Sequence, residues 1–245
     1  MNDILCKQLA IDYCCSEDDV RDESHHFTTY QFLEGRRRFR EETECYLKVA
    51  VINGKLLFSG NPEMMNWCKE KYHDADAEWF FEAKNIRGLN DRLHEDGYQI
   101  KMMHPFFISE TFTEMCTDGY DICWYHEEEI EQFRDGNRYP EAYSFFEGAP
   151  DVIGVSAIKD GKILGMAGAS SDSPFMWQIG INVEADCRRK GIATMLVTLL
   201  KNEILCSGHL PYYGTGFSHI ASQRVALGAG FLPTWTEIAT AKKEK

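Results

Sequence analysis

One stretch constrains the fold of this chain more than any other: FMWQIGINVEADCRRKGIATMLVTLLKNEILC, residues 175–206. FMWQIGINV reads as a strand that ends near Glu184. The later part reads as a helix, because Ile192, Met195, Leu196, Leu199, Leu200 and Ile204 recur at helical spacing and make one buried stripe. Between the two, the basic run Arg188-Arg189-Lys190 meets a single glycine, Gly191. The helix must begin near that glycine, so the N–H groups of residues 189–194 lack intrahelical partners. They sit at the positive end of the helix dipole, where an anion is favoured. Gly191 has no Cβ and allows both an unusual φ and close approach of a phosphate; Ala193 is small enough to allow the same approach. Cations at a helix start are unfavourable unless an anion lies among them, and the competing reading is a surface helix that merely begins with basic residues. A Walker A loop is excluded, since no G-x-x-x-x-G-K-S/T occurs, and Gly214-Thr215-Gly216-Phe217-Ser218-His219 lacks the third glycine of a dinucleotide fingerprint.

The elements around this unit alternate. Ser16 and Asp19 resemble a capping box, and the first forty residues read as helical, including FLEGRRRFREE. Two β-rich runs flank Asn53-Gly54, a strong hairpin signal. PEMMNWCKEKY and AEWFFEAKNIRGLNDRLHED read as helices, and YQIKMMHPFFIS as a strand. Periodicity lapses over residues 111–121, which divides the chain into an N-terminal α/β domain, 1–118, and a second domain, 119–245. The second opens with the helix HEEEIEQFRDG. It continues with a hairpin turning at Asp160-Gly161, the strand and helix already described, LPYYGTGFS as a strand, SQRVALGAGF as a short helix and LPTWTEIATA as a last strand. The order implies an α/β (α+β) fold: a mixed β-sheet flanked by helices, with a second, smaller N-terminal domain.

Composition narrows the functions. Lys and Arg number 26 against 39 Asp and Glu, a formal charge of −13, which disfavours nucleic acid and anionic membrane as partners and suits a cationic one. No apolar run is long enough to span a membrane, and the N-terminus does not read as a signal peptide. The nine cysteines form no C-x-x-C pair, so zinc and thioredoxin-type readings fail and a cytoplasmic protein with reduced thiols is expected. His25-His26 has no cysteine or acidic residues at ligand spacing, and no metal is expected. Arg36, Arg37, Arg38 and Arg40 alternate with Glu34, Glu41 and Glu42 and read as a solvated helix face. Trp124, Tyr125 and Trp177 fit core packing at least as well as a ligand pocket. Cys187 lies near a helix start and cations, where a thiol pKa falls, but no histidine pairs with it as a nucleophile would need.

The pattern Arg188-x-x-Gly191-x-Ala193 resembles the Q/R-x-x-G-x-G/A signature of the GNAT superfamily of acyl-CoA N-acyltransferases. SHIASQRVALGAGF, about 30 residues later, resembles the family's second landmark, with Gly230-Phe231 at its end. The likeness covers roughly residues 120–240, and the added N-terminal half is similar to that of a bacterial subgroup. The resemblance implies a GNAT-type sheet and transfer of acetyl from acetyl-CoA to a primary amine by direct attack. It implies that backbone amides of Arg189, Lys190, Gly191, Ile192, Ala193 and Thr194, with Arg188 beside them, hold the CoA pyrophosphate. It further implies that Ile181, Asn182 and Val183 pair with the pantetheine arm, and that the Val183 amide stabilises the oxyanion. Ser218 and Ser222 complete the expected CoA site.

Two departures stand out. His219 occupies the position where the family commonly has Asn, and Ala226 the position of the usual general acid, a Tyr. Tyr212, Tyr213 and His219 are candidates for the missing acid; Glu184 and Asp172 are candidates for the base, as is a water. The acceptor is a small-molecule or protein amine, and a homodimer is an open assembly state. The rival reading, kept alive by Ala226, is a non-catalytic acyl-CoA-binding or regulatory module. A third is a helix-start site for an unrelated nucleotide.

Overall fold

The computed structural model describes residues 1–37 and 45–243. Contacts divide it into two units, Met1–Phe106 with Thr234–Lys245, and Phe107–Pro233.

In the first unit, α1 (Asp3–Asp12) is capped by Asn2, whose Oδ1 accepts the Leu5 N–H at 2.9 Å. The Ser16–Asp19 capping box starts α2 (Glu17–Arg21). Helix does not continue from there. His26–Thr29 forms β1, and residues 30–37 hold no helix, with Gly35 at φ 82°; the end of FLEGRRRFREE lies outside the described residues. β2 (Leu47–Ile52) turns into β3 (Lys55–Gly60) through Asn53 and Gly54, both at positive φ, as a two-residue hairpin requires. α3 (Pro62–Tyr72), α4 (Ala83–Glu95) and β4 (Tyr98–Ile108) follow.

The strand order in this unit is β1-β3-β2-β10-β4, where β10 (Leu232–Lys242) is the last strand of the chain. Register pairs from Trp235↔Ile52 to Ala239↔Lys48 bind β10 antiparallel to β2. The C-terminal strand is therefore built into the first unit, whereas the sequence reading assigned it to the second domain. Arg37 departs from the solvated face expected of it. Its guanidinium is buried between the Asp12 and Glu237 carboxylates, 2.8 Å from the latter. A buried arginine is tolerated only when paired in this way.

The second unit contains β5 (Asp121–His126), a single helical turn α5 (Glu127–Ile130), β6 (Asp151–Lys159), β7 (Lys162–Ser171), β8 (Met176–Val183), α6 (Ile192–Cys206), β9 (Leu210–Gly214) and α7 (Ile220–Gly228). Asp160 and Gly161, both at positive φ, turn β6 into β7. The order is β9-β8-β7-β6-β5, with β5 to β8 antiparallel and β9 parallel to β8. Side chains alternate across this sheet. Val155, Ala167 and Ile179 share one core with Ile192, Leu196, Leu200 and Ile204 of α6.

The opposite face carries a row of glycines in register, Gly154, Gly168 and Gly180. A strap, residues 137–149, lies directly on them. A Cβ would fall 1.8 Å from the Tyr143 hydroxyl at Gly154, 2.3 Å from the Ala142 carbonyl oxygen at Gly168 and 1.7 Å from the Glu141 carbonyl oxygen at Gly180. Only glycine permits such backbone approach. No helix among the described residues is long and apolar enough to cross a membrane.

Candidate functional site

β8 and β9 form a fork. They pair at Met176↔Leu210, Trp177↔Pro211 and Gln178↔Tyr212, and the register then stops, while β8 runs on to Val183. On its other side β8 stays paired with β7 from Trp177 to Val183. Two hydrogen bonds fix which backbone groups face the opening. The Leu210 N–H donates to the Phe175 carbonyl across the β9 side at 3.0 Å, and the Glu184 N–H donates to Leu164 at the β7 end at 2.9 Å. Backbone groups alternate along a strand, so Ile179, Ile181 and Val183 direct their N–H and C=O groups into the gap. Arg188 Nε reaches the Val183 carbonyl at 3.4 Å. β9 ends where Gly214 and Gly216 interrupt the chain, residues that weaken a strand.

The basic turn follows directly. A short 3-10 turn at Ala185–Cys187 leads to Arg189 at φ 63° and Gly191 at φ 82°, ψ −7°. Arg189 in the left-handed region costs about 1 kcal/mol, strain that concentrates at functional sites. Gly191 is the N-cap of α6, with no side-chain cap and no acidic residue in the first turn. The first helical bond runs from the Met195 N–H to the Gly191 carbonyl at 3.0 Å. The N–H groups of Ile192, Ala193 and Thr194 therefore have no intrahelical acceptor. Arg188, Arg189 and Lys190 are exposed. α3 begins differently: its Asn61 side chain accepts the Glu63 N–H at 2.9 Å, and Glu63 places a carboxylate in the first turn. At α6 the same positive end is left for an outside anion.

Tyr213 follows the last paired residue of β9. Its ring is buried in the core shared with α6 and α7, and its hydroxyl lies 2.8 Å from Ser222 Oγ. Burial pushes the phenol pKa up; the Ser222 hydrogen bond opposes this, and the Glu141 carboxylate adds to it. Ala226 is fully buried in the same core. Ser218 and His219 lie on the exposed turn before α7, and neither side chain makes a hydrogen bond among the described residues.

Tyr212 projects to the strap side. Its hydroxyl donates to Asp172, and Gln178 Oε1 lies 3.3 Å away; Asp172 also accepts from Ser170 Oγ at 2.6 Å. Glu184 is ion-paired to Arg138 at 2.8 Å. The two line a cavity of about 550 Å³ with Tyr139, Lys162, Asp186 and Cys187. Burial first, then Asp186, push the Cys187 thiol pKa up, the reverse of the lowering expected from its sequence position. Trp177 stacks on His209 with ring centroids 4.2 Å apart. Trp124 packs against the α6-side core, and the Tyr125 hydroxyl lies 3.0 Å from Ser156 Oγ.

Asn182 reveals what the sequence reading missed. Its Oδ1 accepts the N–H groups of both Glu141 and Ala142, each at 2.9 Å, so its side chain fastens the strap to β8. Arg138 and Glu141 come to the site through that strap. The available signal was the glycines inside three successive strand segments, which mark close backbone approach.

Residues 111–231 match the family model described as Acetyltransferase (GNAT) family. A putative GNAT-family acetyltransferase from Novosphingobium aromaticivorans shares 16% identity over 61% of this chain and 69% of its own, with a TM-score of 0.46. A GCN5-related N-acetyltransferase-like protein from Streptococcus suis shares 13% over 86% and 89%, with a TM-score of 0.47. The aminoglycoside N-acetyltransferase AAC(6')-Iy, solved in complex with CoA, shares 23% over 46% of this chain and 92% of its own, with a TM-score of 0.34. No functionally curated protein shows significant similarity.

Proposed function

We propose, from the premise that residues 111–231 form a GNAT acetyltransferase domain, that this protein moves an acetyl group from acetyl-CoA to a primary amine by direct attack. The observation that carries the reading is the parting of β8 from β9 after three register pairs, beside a helix start capped only by Gly191. An unpaired strand edge inside a sheet is costly unless another chain of donors and acceptors pairs with it. The pantetheine arm is such a chain, and the N–H and C=O groups of Ile179, Ile181 and Val183 suit it. The amides from Arg189 to Thr194, with the exposed Arg188 and Lys190, suit the pyrophosphate.

The roles of individual residues follow from these positions. The Val183 N–H faces the thioester carbonyl and stabilises negative charge developing on its oxygen. The fork holds both reactants in place. Tyr213 protonates the departing sulfur; burial keeps its phenol protonated through neutral pH. Ser222 orients that phenol. Glu184 serves the acceptor side less directly, because Arg138 already holds its carboxylate. We place the reaction in the cytoplasm, where the nine cysteines would remain reduced.

Calorimetry with acetyl-CoA tests the binding claim: no heat at sub-millimolar ligand would sink it. Thiol release with a panel of amines then separates enzyme from binding module. The second reading, a non-catalytic acyl-CoA-binding module, is favoured by the fully buried Ala226 at the usual acid's position. It is selected if acetyl-CoA binds and no amine is acetylated.

A further inference from the structure

Four carboxylates stand near the fork, and their surroundings differ. Asp186, in the turn before α6, engages the Cys187 thiol. Asp172 accepts hydrogen bonds from Ser170 and Tyr212. Glu184 is engaged by Arg138. Glu141 is exposed and makes no ion pair among the described residues. Its backbone is nonetheless held from both sides. Its N–H donates to Asn182 Oδ1 at 2.9 Å, and its carbonyl oxygen rests over Gly180 where a side chain would otherwise begin. Positions 180 and 182 belong to the stretch of β8 that β9 leaves unpaired. The strap thus places Glu141 beside the stretch of β8 that β9 leaves unpaired.

The charge of that carboxylate bears on Tyr213, although the Tyr213 ring sits in the core on the other face of the sheet. The Glu141 backbone lies on the strap face of β8, and the Tyr213 ring lies in the core on the opposite face.

We propose that Glu141 is the acceptor-side catalytic residue: it binds the ammonium group of a cationic amine and takes the proton that must leave before attack. This rests on the acetyl-transfer reading above and deepens it by naming the acceptor class. One ammonium proton passes to the Glu141 carboxylate, and the freed nitrogen lone pair forms the C–N bond. The C–S bond breaks with its electron pair going to sulfur, which takes a proton from Tyr213. A second ammonium proton leaves the nitrogen as the amide forms and restores Tyr213 through solvent. Glu141 returns its proton to water, so one proton is released per turnover. The groups facing the acceptor from neighbouring elements are Arg138 and Glu184 at the strap-side cavity, Asp172 and Tyr212 at the base of the fork, and Tyr213 across it. Asp186 lies in the turn after β8, against Cys187.

The test compares the wild-type chain with Glu141→Gln, using acetyl-CoA as donor. Spermidine, protonated at neutral pH, is one acceptor; 4-methoxyaniline, largely unprotonated, is the other. The expected result is a fall of about a hundredfold in kcat/KM for spermidine. The ascending limb of its pH profile should move to higher pH. The arylamine should change less than about threefold, because it has no proton to lose before attack. The acetyl-CoA Kd should stay unchanged. Equal losses for both acceptors, or no loss for spermidine, overturn the assignment. If the wild type binds acetyl-CoA but acetylates neither amine, the transfer reading itself has failed. The ammonium site is then read by calorimetry of spermidine binding to the CoA complex, where equal affinity of wild type and Glu141→Gln overturns it too.

Discussion

The two edges of β8 are treated differently by the rest of the second unit. Toward β7 the strand is paired from Trp177 to Val183. Toward β9 it is paired over three residues and then left open. The two faces of its far half differ as well: Gly180 and Asn182 lie locked under the strap, while Ile181 and Val183 pack with the α6 core. A strand held so firmly on one edge can leave the other unpaired without coming apart. On the proposed reading the closed edge provides stability and the open edge provides chemistry, and substitutions should separate the two.

Tyr213→Phe should produce the largest effect. If the open edge is catalytic, kcat should fall about a hundredfold or more, the usual worth of a general acid, with the acetyl-CoA Kd unchanged. Losing the hydrogen bond to Ser222 should cost only about 1 kcal/mol of stability. Thiol release and urea unfolding measure these separately; intact turnover would remove Tyr213 from the reaction. The same phenol makes a prediction for alkaline pH. Burial raises its pKa in the folded state, so above about pH 10 the unfolded chain ionises first. The stability it contributes should be complete below that pH and decline above it, and Tyr213→Phe should reduce the decline.

Gly180→Ala addresses the closed side. The added Cβ would meet the Glu141 carbonyl oxygen at 1.7 Å, an atom of the backbone that cannot swing away. Displacing the strap should cost about 1–3 kcal/mol, the usual range for overpacking, visible as a lower urea midpoint. Acetyl-CoA affinity should be largely kept, because the open edge and the helix start are untouched. A variant that lost affinity but not stability would invert the comparison.

What the sequence disclosed depended on how local each signal was. The Asn53-Gly54 and Asp160-Gly161 turns, the Ser16 cap and the basic start of α6 are written within a few residues, and each formed as its chemistry requires. Interactions between distant segments were not legible. Nothing near Arg37 announces that Glu237, two hundred residues away, will draw it into the interior. Asn182 reads as one more strand residue until the strap is seen hanging from it. Glu141 carries no local motif at all; its place is set by the absence of a side chain at Gly180. The parting of β8 from β9 after Tyr212 has no local signature either, because β9 itself runs on to Gly214.

The smallest effect gives the cleanest comparison, because α6 carries a left-handed glycine at each end. Gly191 precedes it at φ 82° and Gly208 follows it at φ 81°, and a Cβ at either position would meet nothing within 4 Å. Alanine at either site should therefore impose the same backbone strain, about 1 kcal/mol, and lower the unfolding midpoint equally. Only Gly191 borders the free N–H groups at the positive end of the helix. Gly191→Ala should weaken acetyl-CoA binding about tenfold, since 1.4 kcal/mol of lost contact is one decade in Kd. Gly208→Ala should leave that Kd alone. Equal affinity in the two variants would mean that Gly191 serves only to start a helix, and that the anion is held elsewhere.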